Sequence, residues 1–169
     1  MASPRETLLS LLAELGIATV TAEHAPLHTV EQSRALRGTI AGGHSKNLFL
    51  KDKKGRLFLV VCDEEAALDL KRLHETIGAS GRLSFGSAEL LEAVLGVKPG
   101  SVTPFAAVND REGRVTVVLD SGLLEKGPVN FHPLENTATT TIAAGDLLAF
   151  LRSTGHTPLV VPLSGAAAL

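Results

Sequence analysis

The sequence contains one cysteine, Cys62, in 169 residues. A single cysteine excludes a disulfide within the chain and is typical of proteins that fold in the reducing cytosol. We therefore expect a cytoplasmic protein. Cys62 lies inside an apolar segment, which favours a small buried hydrophobic side chain over a reactive thiol.

The sequence also lacks an excess of charge of either sign, with 16 basic and 18 acidic residues and a formal net charge of −2. This balance does not indicate a general nucleic-acid binder, but it allows one that contacts a few phosphates through a local basic patch. One such cluster comprises Lys46, Lys51, Lys53, Lys54 and Arg56. The alternative is a charged hairpin tip that keeps the protein in solution.

No hydrophobic run is long enough to span a membrane, so we expect no membrane partner. The first segment carries Arg5, Glu6 and Glu14 among its leucines, which predicts an amphipathic helix and not a signal peptide. The composition, 44% hydrophobic and 20% charged, is sufficient for a full hydrophobic core. We predict a single domain over residues 1–169.

The common catalytic signatures are absent as well. The chain has no Gly-x-x-x-x-Gly-Lys-Ser/Thr loop, no Gly-x-Ser-x-Gly elbow and no Cys-x-x-Cys pair. His24 and His28 stand four residues apart, a spacing that would suit zinc on a helix. Pro26 between them argues against a helix there, so we interpret them as loop histidines and expect neither a metal nor a cofactor.

The segment at the centre of the predicted fold is residues 42–62, which has the pattern of a β-hairpin. Two apolar runs, residues 48–50 and 57–62, flank a polar connection at residues 52–56 that contains Gly55. The second run is apolar at nearly every position. This predicts a strand that is covered on both faces.

The first strand of this hairpin begins with four polar residues, His44, Ser45, Lys46 and Asn47. Lys46 and Asn47 lie where a Gly-Gly loop meets the strand, and a loop that meets a rigid strand is a suitable place to hold a ligand. The alternative is a solvated lysine that protects the edge of a sheet.

The remaining elements predict a mixed α/β fold. Capping residues predict helices after Ser3, after Thr29, over residues 64–77 and over residues 88–95. Residues 105–108 and 114–119 predict a second hairpin. Helices among strands joined as hairpins favour a largely antiparallel mixed sheet, or a partial barrel, surrounded by helices, over a doubly wound parallel sheet.

Two further segments are candidates for chemistry. Gly100 and Pro104 bracket a short loop before a predicted strand, and such a loop can direct backbone N–H groups at an oxyanion or a water. The alternative is a plain connecting turn. Residues 130–141, NFHPLENTATTT, place many polar side chains between apolar strands, which indicates either a pocket or a dense hydrogen-bonded network.

Three motifs in these segments together resemble the prolyl-tRNA editing domain family, in its freestanding bacterial ProX-type branch. They are Lys46-Asn47, Gly100-x-x-x-Pro104 and His132-Pro133-Leu134-x-Asn136-x-Ala138-Thr139. The similarity runs from the first helix to Pro162. Each motif is weak by itself, and the specificity comes from their order and separation.

The resemblance implies a deacylase that hydrolyses the ester of mischarged Ala-tRNA(Pro) with a positioned water, without a side-chain nucleophile or cofactor. It implies catalytic roles for Lys46, Gly100 and His132, and substrate-binding roles for Asn47, Ser101, Pro104, Asn136 and Thr139. Lys46 would contact the terminal nucleotide, and His132 would line the amino-acid pocket. The Gly100 loop would orient the carbonyl group and the water.

The implied partners are the acceptor end of tRNA(Pro) carrying alanine and, as a docking partner, prolyl-tRNA synthetase. Three alternatives stay open. They are a Cys-tRNA(Pro) deacylase of the sister branch, a non-catalytic domain that binds tRNA ends or a synthetase, and a hydrolase of small esters.

Overall fold

Short helices and strands alternate along residues 2–26 and 30–163, which the computed structural model describes without the side chains of Val30, Ser33, Arg34 and Arg37. The helices are α1 (Pro4–Glu14), α2 (Val30–Arg37), α3 (Leu73–Ile77), α4 (Ala88–Leu95), α5 (Ser121–Leu124) and α6 (Ala144–Ser153). The strands are β1 (Thr19–Glu23), β2 (Gly43–Lys51), β3 (Leu57–Asp63), β4 (Ser84–Phe85), β5 (Val115–Asp120), β6 (Val129–Phe131), β7 (Ala138–Ile142) and β8 (Leu159–Val161).

The strands form one mixed sheet in the order β1-β7-β6-β2-β3-β5-β8, and β4 pairs with β2 outside this path. The pairings β1–β7, β6–β7, β2–β3 and β2–β4 are antiparallel. The pairings β2–β6, β3–β5 and β5–β8 are parallel. The prediction of a mixed α/β fold with a mixed sheet, and not a doubly wound parallel one, is therefore confirmed.

The predicted hairpin of residues 42–62 is formed by β2 and β3, and β3 is buried along its whole length. Successive side chains of a strand point to opposite faces. Alternate residues from Leu57 to Val61 accordingly enter the larger core cluster, and those from Phe58 to Cys62 enter a second cluster on the other face. The prediction that both faces of this strand are covered is confirmed.

The predicted second hairpin is wrong. Pro104–Asn109 is a 3₁₀ helix, and β5 pairs in parallel with β3 instead of turning back on residues 105–108. The Thr103 hydroxyl caps this helix by accepting from the Phe105 N–H at 3.3 Å. Phe105 is fully buried and packs edge to face on Phe131 and Phe150. Tertiary packing therefore overrides the strand propensity of this short apolar run.

The predicted helix over residues 64–77 is also too long, because only Leu73–Ile77 is α-helical. The carboxylates of Asp63 and Asp69 each accept from the backbone N–H two residues ahead, at 2.9 and 3.0 Å. Such local bonds stabilise turns in competition with a helix. The helix ends at Gly78, whose φ of 72° is left-handed, as the sequence predicts.

The other helix boundaries follow the capping chemistry. The Ser3 and Ser87 hydroxyls accept from the N–H groups of Glu6 and Leu90 at 3.1 Å, which confirms both predicted N-caps. α2 begins directly after Thr29, where the sequence predicts a helix, although Thr29 itself lies outside the described residues. Among the residues that the structure covers, no helix is long and apolar enough to cross a bilayer.

Asp52 joins the turn between β2 and β3 to the segment before β4. Its carboxylate is 4% exposed and accepts from the backbone N–H groups of Lys54, Arg56 and Ser80 at 2.9 Å and from Arg56 Nε at 3.1 Å. Burial alone would raise the pKa of Asp52, but these hydrogen bonds favour the anion more strongly and lower the pKa to about 2.

We expect Asp52→Asn to lower the free energy of unfolding by about 2 kcal/mol at neutral pH, because hydrogen bonds to a charged acceptor are lost. The folded pKa of about 2 lies below the ordinary value of 3.8, so the carboxylate stabilises the fold fully above the ordinary value. This contribution is lost as the pH falls towards 2. Urea unfolding at several pH values should therefore show a smaller difference between the two proteins in acid.

The matched control is Asp69→Asn, since the exposed Asp69 carboxylate accepts a single backbone N–H. We expect this variant to unfold within about 0.5 kcal/mol of the original protein. A penalty for Asp52→Asn that is equal at neutral and acidic pH would contradict the role given to the Asp52 anion.

Candidate active site

A cavity of about 130 Å³ lies at the ends of β2 and β6. These two parallel strands share only the register pairs Gly43–Val129 and His44–Asn130, and side chains beyond these pairs face the cavity. Its lining includes Leu36, Ile40, His44, Asn47, His132 and Thr139. A small concave site with a few polar groups among apolar ones is typical of small-molecule binding.

Two glycines allow β2 to approach β6 this closely. A Cβ atom on Gly42 would lie 2.6 Å from the Pro128 carbonyl oxygen, and the φ of Gly42 is +101°. The Gly43 N–H donates to the same carbonyl at 2.8 Å. The Gly-Gly loop of the sequence is thus required by a backbone contact at the cavity rim.

Asn130 holds this contact together and was not among the individually predicted site residues. Its side chain is 4% exposed, and its Nδ2 donates to the carbonyls of Ala41 and Gly43 at 3.0 Å. Its Oδ1 accepts from the Thr141 hydroxyl at 2.5 Å. Asn130 is therefore fully engaged, and it fixes the loop that enters β2.

His132 follows β6 and is held by the turn that leads to β7. Leu134 has a φ of 68°, a left-handed conformation that is uncommon for a residue with a Cβ atom. The turn returns the chain so that His132 Nδ1 lies 3.0 Å from the Ala138 carbonyl oxygen. A carbonyl oxygen only accepts, so Nδ1 carries the hydrogen, and Nε2 of the neutral ring is left as an acceptor.

The surroundings of His132 favour this neutral ring. Burial lowers the pKa of His132, the bond to the Ala138 carbonyl opposes the shift, and the neighbouring His24 lowers the pKa further. At neutral pH the ring therefore presents a hydrogen-bond acceptor to the cavity and carries no positive charge.

His24 lies beside His132, with 6.3 Å between the ring centroids. Its Nδ1 donates to the Ala25 carbonyl at 2.8 Å, so its Nε2 accepts from the Thr139 hydroxyl at 2.9 Å. The pairing of β1 with β7 brings His24 to this position. His24 lies in the loop after β1, as the sequence indicates, and His28 lies outside the described residues. The contact of His24 with Thr139 was not predictable, because no local pattern in the sequence indicates the strand pairing.

Lys46 and Asn47 lie on opposite faces of β2. Asn47 lines the cavity; its Nδ2 donates to Ser45 Oγ at 3.1 Å, and its buried Oδ1 has no hydrogen-bond partner within the described part of the chain. Lys46 Nζ donates to the Ala66 carbonyl. Lys46 does not line the cavity that Asn47 and His132 line, because neighbouring side chains of a strand point to opposite faces.

The Gly100 loop lies beside this cavity but does not line it. Pro99–Ser101 forms a 3₁₀ turn, and the segment precedes a second 3₁₀ helix instead of the predicted strand. Gly100 approaches Asn136, since a Cβ atom on Gly100 would lie 3.5 Å from Asn136 Nδ2. Ser101 and Pro104 are both buried. The loop thus contacts the segment that carries His132.

A second cavity, of about 220 Å³, connects the Gly100 loop with β2. Its lining includes Asn47, Phe49, Phe85, Ala88, Pro99 and Val102. Asn47 therefore faces both cavities, and it lies between the predicted amino-acid pocket and the predicted loop.

The described residues offer no activated nucleophile near the first cavity. Cys62 is buried in the core, and burial raises the pKa of its thiol to about 12, so it is not a thiolate at neutral pH. Among the residues that the structure describes, no group of three or more histidine, cysteine or acidic side chains could hold a metal ion.

The neutral state of His132 is testable by NMR titration of the histidine rings. We expect His132 to titrate below the ordinary value of about 6.5 and to carry its hydrogen on Nδ1 at neutral pH. His24→Gln should raise the titration midpoint of His132, because the electrostatic effect of the His24 ring, which lowers the pKa of His132, is removed. His74→Gln, a change in α3, should leave it unchanged. A midpoint at or above the ordinary value, or a hydrogen on Nε2, would contradict this account.

Comparisons with known proteins point to one family. Residues 24–150 match the family model of the aminoacyl-tRNA editing domain. The chain is 36% identical over 154 residues to the prolyl-tRNA editing protein ProX of Acetoanaerobium sticklandii, and the match covers 90% of this chain and 93% of that protein. It is 40% identical over 159 residues to the prolyl-tRNA synthetase associated domain-containing protein 1 of Danio rerio, covering 93% and 86% of the two chains.

The fold is similar to that of a solved structure, hypothetical protein APE2540, with a TM-score of 0.74, 19% identity, and coverage of 94% of this chain and 99% of that one. The family match includes the residues of the first cavity, from Leu36 on α2 to Thr139 on β7. The resemblance inferred from the three motifs is confirmed. The chain belongs to the aminoacyl-tRNA editing domain family, in its prolyl-tRNA editing branch.

Proposed function

We propose that this protein is a trans-editing deacylase that hydrolyses the ester of Ala-tRNA(Pro) with a positioned water. Membership of an editing family supports the class of reaction, the hydrolysis of mischarged aminoacyl-tRNA. The observation that carries the proposal is the first cavity, in which a neutral His132 and an unpartnered Asn47 oxygen face a small space.

The size of the first cavity suits a second sieve. A synthetase pocket built for proline cannot strongly reject a smaller side chain, because a missing methylene group changes binding by only about 1–3 kcal/mol. A downstream site that admits alanine and excludes proline corrects such errors. The cavity of about 130 Å³ is small, and Leu36 and Ile40 give it apolar walls against which a methyl group can pack.

The polar side of the cavity complements the rest of an alanyl ester. The α-ammonium group has only donors. His132 Nε2 is an acceptor, and Asn47 Oδ1 is a buried acceptor without a donor among the described residues. A buried acceptor without a partner costs about 1–3 kcal/mol. A bound ammonium or ribose hydroxyl would satisfy these acceptors, so substrate binding would remove this cost.

The chemical step is the attack of a water molecule on the ester carbonyl carbon. The bond from that carbon to the ribose oxygen breaks, alanine leaves as the free acid, and the ribose oxygen takes up a proton. In this scheme the backbone of the Gly100 loop orients the carbonyl and the water. Ser101 and Pro104 are buried, so they would contribute by shaping this loop.

Asn136 and Thr139 would act through their neighbours. Thr139 donates to His24 beside the His132 ring, and Asn136 lies against Gly100. In our proposal they hold the imidazole and the loop in place while His132 and Asn47 contact the substrate.

Lys46 would contact a phosphate or the ribose of the terminal nucleotide. Its ammonium group donates to the Ala66 carbonyl on the other face of β2. The lysine side chain is flexible and acts as a point charge, so a rotation of the side chain is required for this contact. Prolyl-tRNA synthetase is the second proposed partner, which is supported by the similarity to the prolyl-tRNA synthetase associated domain-containing protein 1 of Danio rerio.

The direct test offers the purified protein Ala-tRNA(Pro), Cys-tRNA(Pro) and Pro-tRNA(Pro) and follows the loss of each ester. We expect rapid deacylation of Ala-tRNA(Pro) and no acceleration on Pro-tRNA(Pro), because the proposed second sieve must spare the correctly charged tRNA. Loss of the cysteinyl ester alone would assign the protein to the sister specificity. Tight binding of acylated tRNA without turnover would identify a non-catalytic binder.

Variants of the proposed contacts should separate their roles. We expect His132→Ala, Asn47→Ala and Lys46→Ala each to reduce deacylation of Ala-tRNA(Pro) by at least about tenfold, because each removes a hydrogen bond or charge contact with the substrate. The control is Lys71→Ala, an exposed lysine outside both cavities. An unchanged rate for any of the three variants would remove that residue from the site.

A further inference from the structure

The second cavity differs from the first in chemistry. Among the six side chains named for it above, only Asn47 is polar, and the remainder of that wall is aliphatic, proline or aromatic. It is also the larger of the two, at about 220 Å³ against about 130 Å³. Such a space suits a flat, weakly polar group and does not suit a second amino acid with its two charged groups.

Phe85 at this cavity is unusual because it is a large aromatic residue that is 62% exposed. Its backbone is nevertheless held firmly. Phe85 pairs with Leu50 across β4 and β2, and the Gly86 N–H donates to the Phe49 carbonyl at 2.9 Å. A Cβ atom on Gly86 would lie 2.4 Å from the Phe49 ring, so the chain packs closely there. The Phe85 ring is an exposed apolar surface on a fixed support.

The connection between the two cavities is Asn47, which faces both. In an aminoacyl-tRNA the amino acid is esterified to the ribose of the terminal nucleotide, and the adenine base is attached to the same ribose. If the acyl group occupies the first cavity, the ribose lies next to Asn47, and the base lies one sugar further along. The second cavity also borders Asn47, which makes it the candidate for the base.

We propose that the second cavity binds the adenine base of the 3′-terminal nucleotide of the aminoacyl-tRNA, with the Phe85 ring stacked on the base. This inference rests on the proposed function, since it takes the first cavity as the acyl site. Stacking of a base on an aromatic side chain stabilises complexes with single-stranded nucleic acid. The exposed Lys51, which pairs with Ser84 next to Phe85, places a positive charge close to the adjoining phosphates.

The apolar lining has a consequence for specificity. A base that is held by stacking is recognised by its flat face and not by its hydrogen-bonding edge. We therefore expect the site to accept another purine at the terminal position with little loss. A terminal nucleotide without a base should lose the whole contribution of the second cavity.

The test combines one variant with one substrate change. The substrates are an alanylated tRNA(Pro) acceptor-stem duplex with its natural 3′-terminal adenosine and the same duplex with an abasic 3′-terminal nucleotide. We expect Phe85→Ala to raise KM for the natural substrate about tenfold, as the loss of one stacked base predicts, with kcat changed by less than about twofold. Phe85→Tyr should retain the original KM, and Val160→Ala, an exposed position on β8, is the matched control.

The abasic substrate shows whether the rise in KM for Phe85→Ala comes from the loss of the contact with the terminal base. The original protein should show the same rise of about tenfold in KM with this substrate, and Phe85→Ala should add no further rise, because the two changes remove one contact. Rises that multiply would mean that Phe85 acts elsewhere, and they would overturn the proposal. An unchanged KM for Phe85→Ala on the natural substrate would do the same.

A binding measurement tests the proposed base site independently of the deacylase activity. The probe is the same duplex with 2-aminopurine as terminal base and alanine attached through a non-hydrolysable amide. Stacking on Phe85 should quench its fluorescence on binding to the original protein and to Phe85→Tyr, and not on binding to Phe85→Ala. Turnover of Ala-tRNA(Pro) without this quenching would overturn the base site and leave the deacylase intact. Quenching without turnover of Ala-tRNA(Pro) would overturn the deacylase proposal and leave the base site intact, and the absence of both would overturn the two together.

Discussion

The site depends on a short backbone contact between the start of β2 and the start of β6. Two glycines permit it, since a side chain on Gly42 would collide with the Pro128 carbonyl. The amide of Asn130 secures it with three hydrogen bonds to neighbouring groups. This contact brings residues near position 45 next to residues near position 132, although almost ninety positions separate them in the sequence.

Around this contact the cavity combines hydrogen-bond acceptors with apolar side chains. The Ala138 carbonyl fixes the hydrogen of His132 on Nδ1, and burial keeps the ring neutral, so the cavity presents an acceptor. The Asn47 oxygen presents another acceptor, and apolar side chains from the α2 region form the opposite wall. An editing enzyme that uses water requires a preorganised site of this kind more than a reactive side chain.

Much of the fold and of the candidate site was predictable from local sequence patterns. The caps at Ser3 and Ser87, the hairpin of β2 and β3, and the motif around His132 all follow from short-range patterns. The opposite orientations of Lys46 and Asn47 also follow once β2 is recognised as a strand; the adjacency of the two residues in a motif concealed this. The contribution of His24 was not predictable, because it arises from the register of β1 on β7. The 3₁₀ helix that buries Phe105 was not predictable, because a short apolar run is compatible with either a helix or a strand.

The most direct measurement is of intermolecular nuclear Overhauser effects between the protein and 3′-deoxy-3′-(L-alanylamino)adenosine, a stable amide mimic of the proposed substrate terminus. We expect nuclear Overhauser effects from the alanine methyl group to the side chains of Ile40 and Leu36, together with contacts between the ligand and the His132 ring. Contacts confined to the other face of β2, near Ala66, would contradict it.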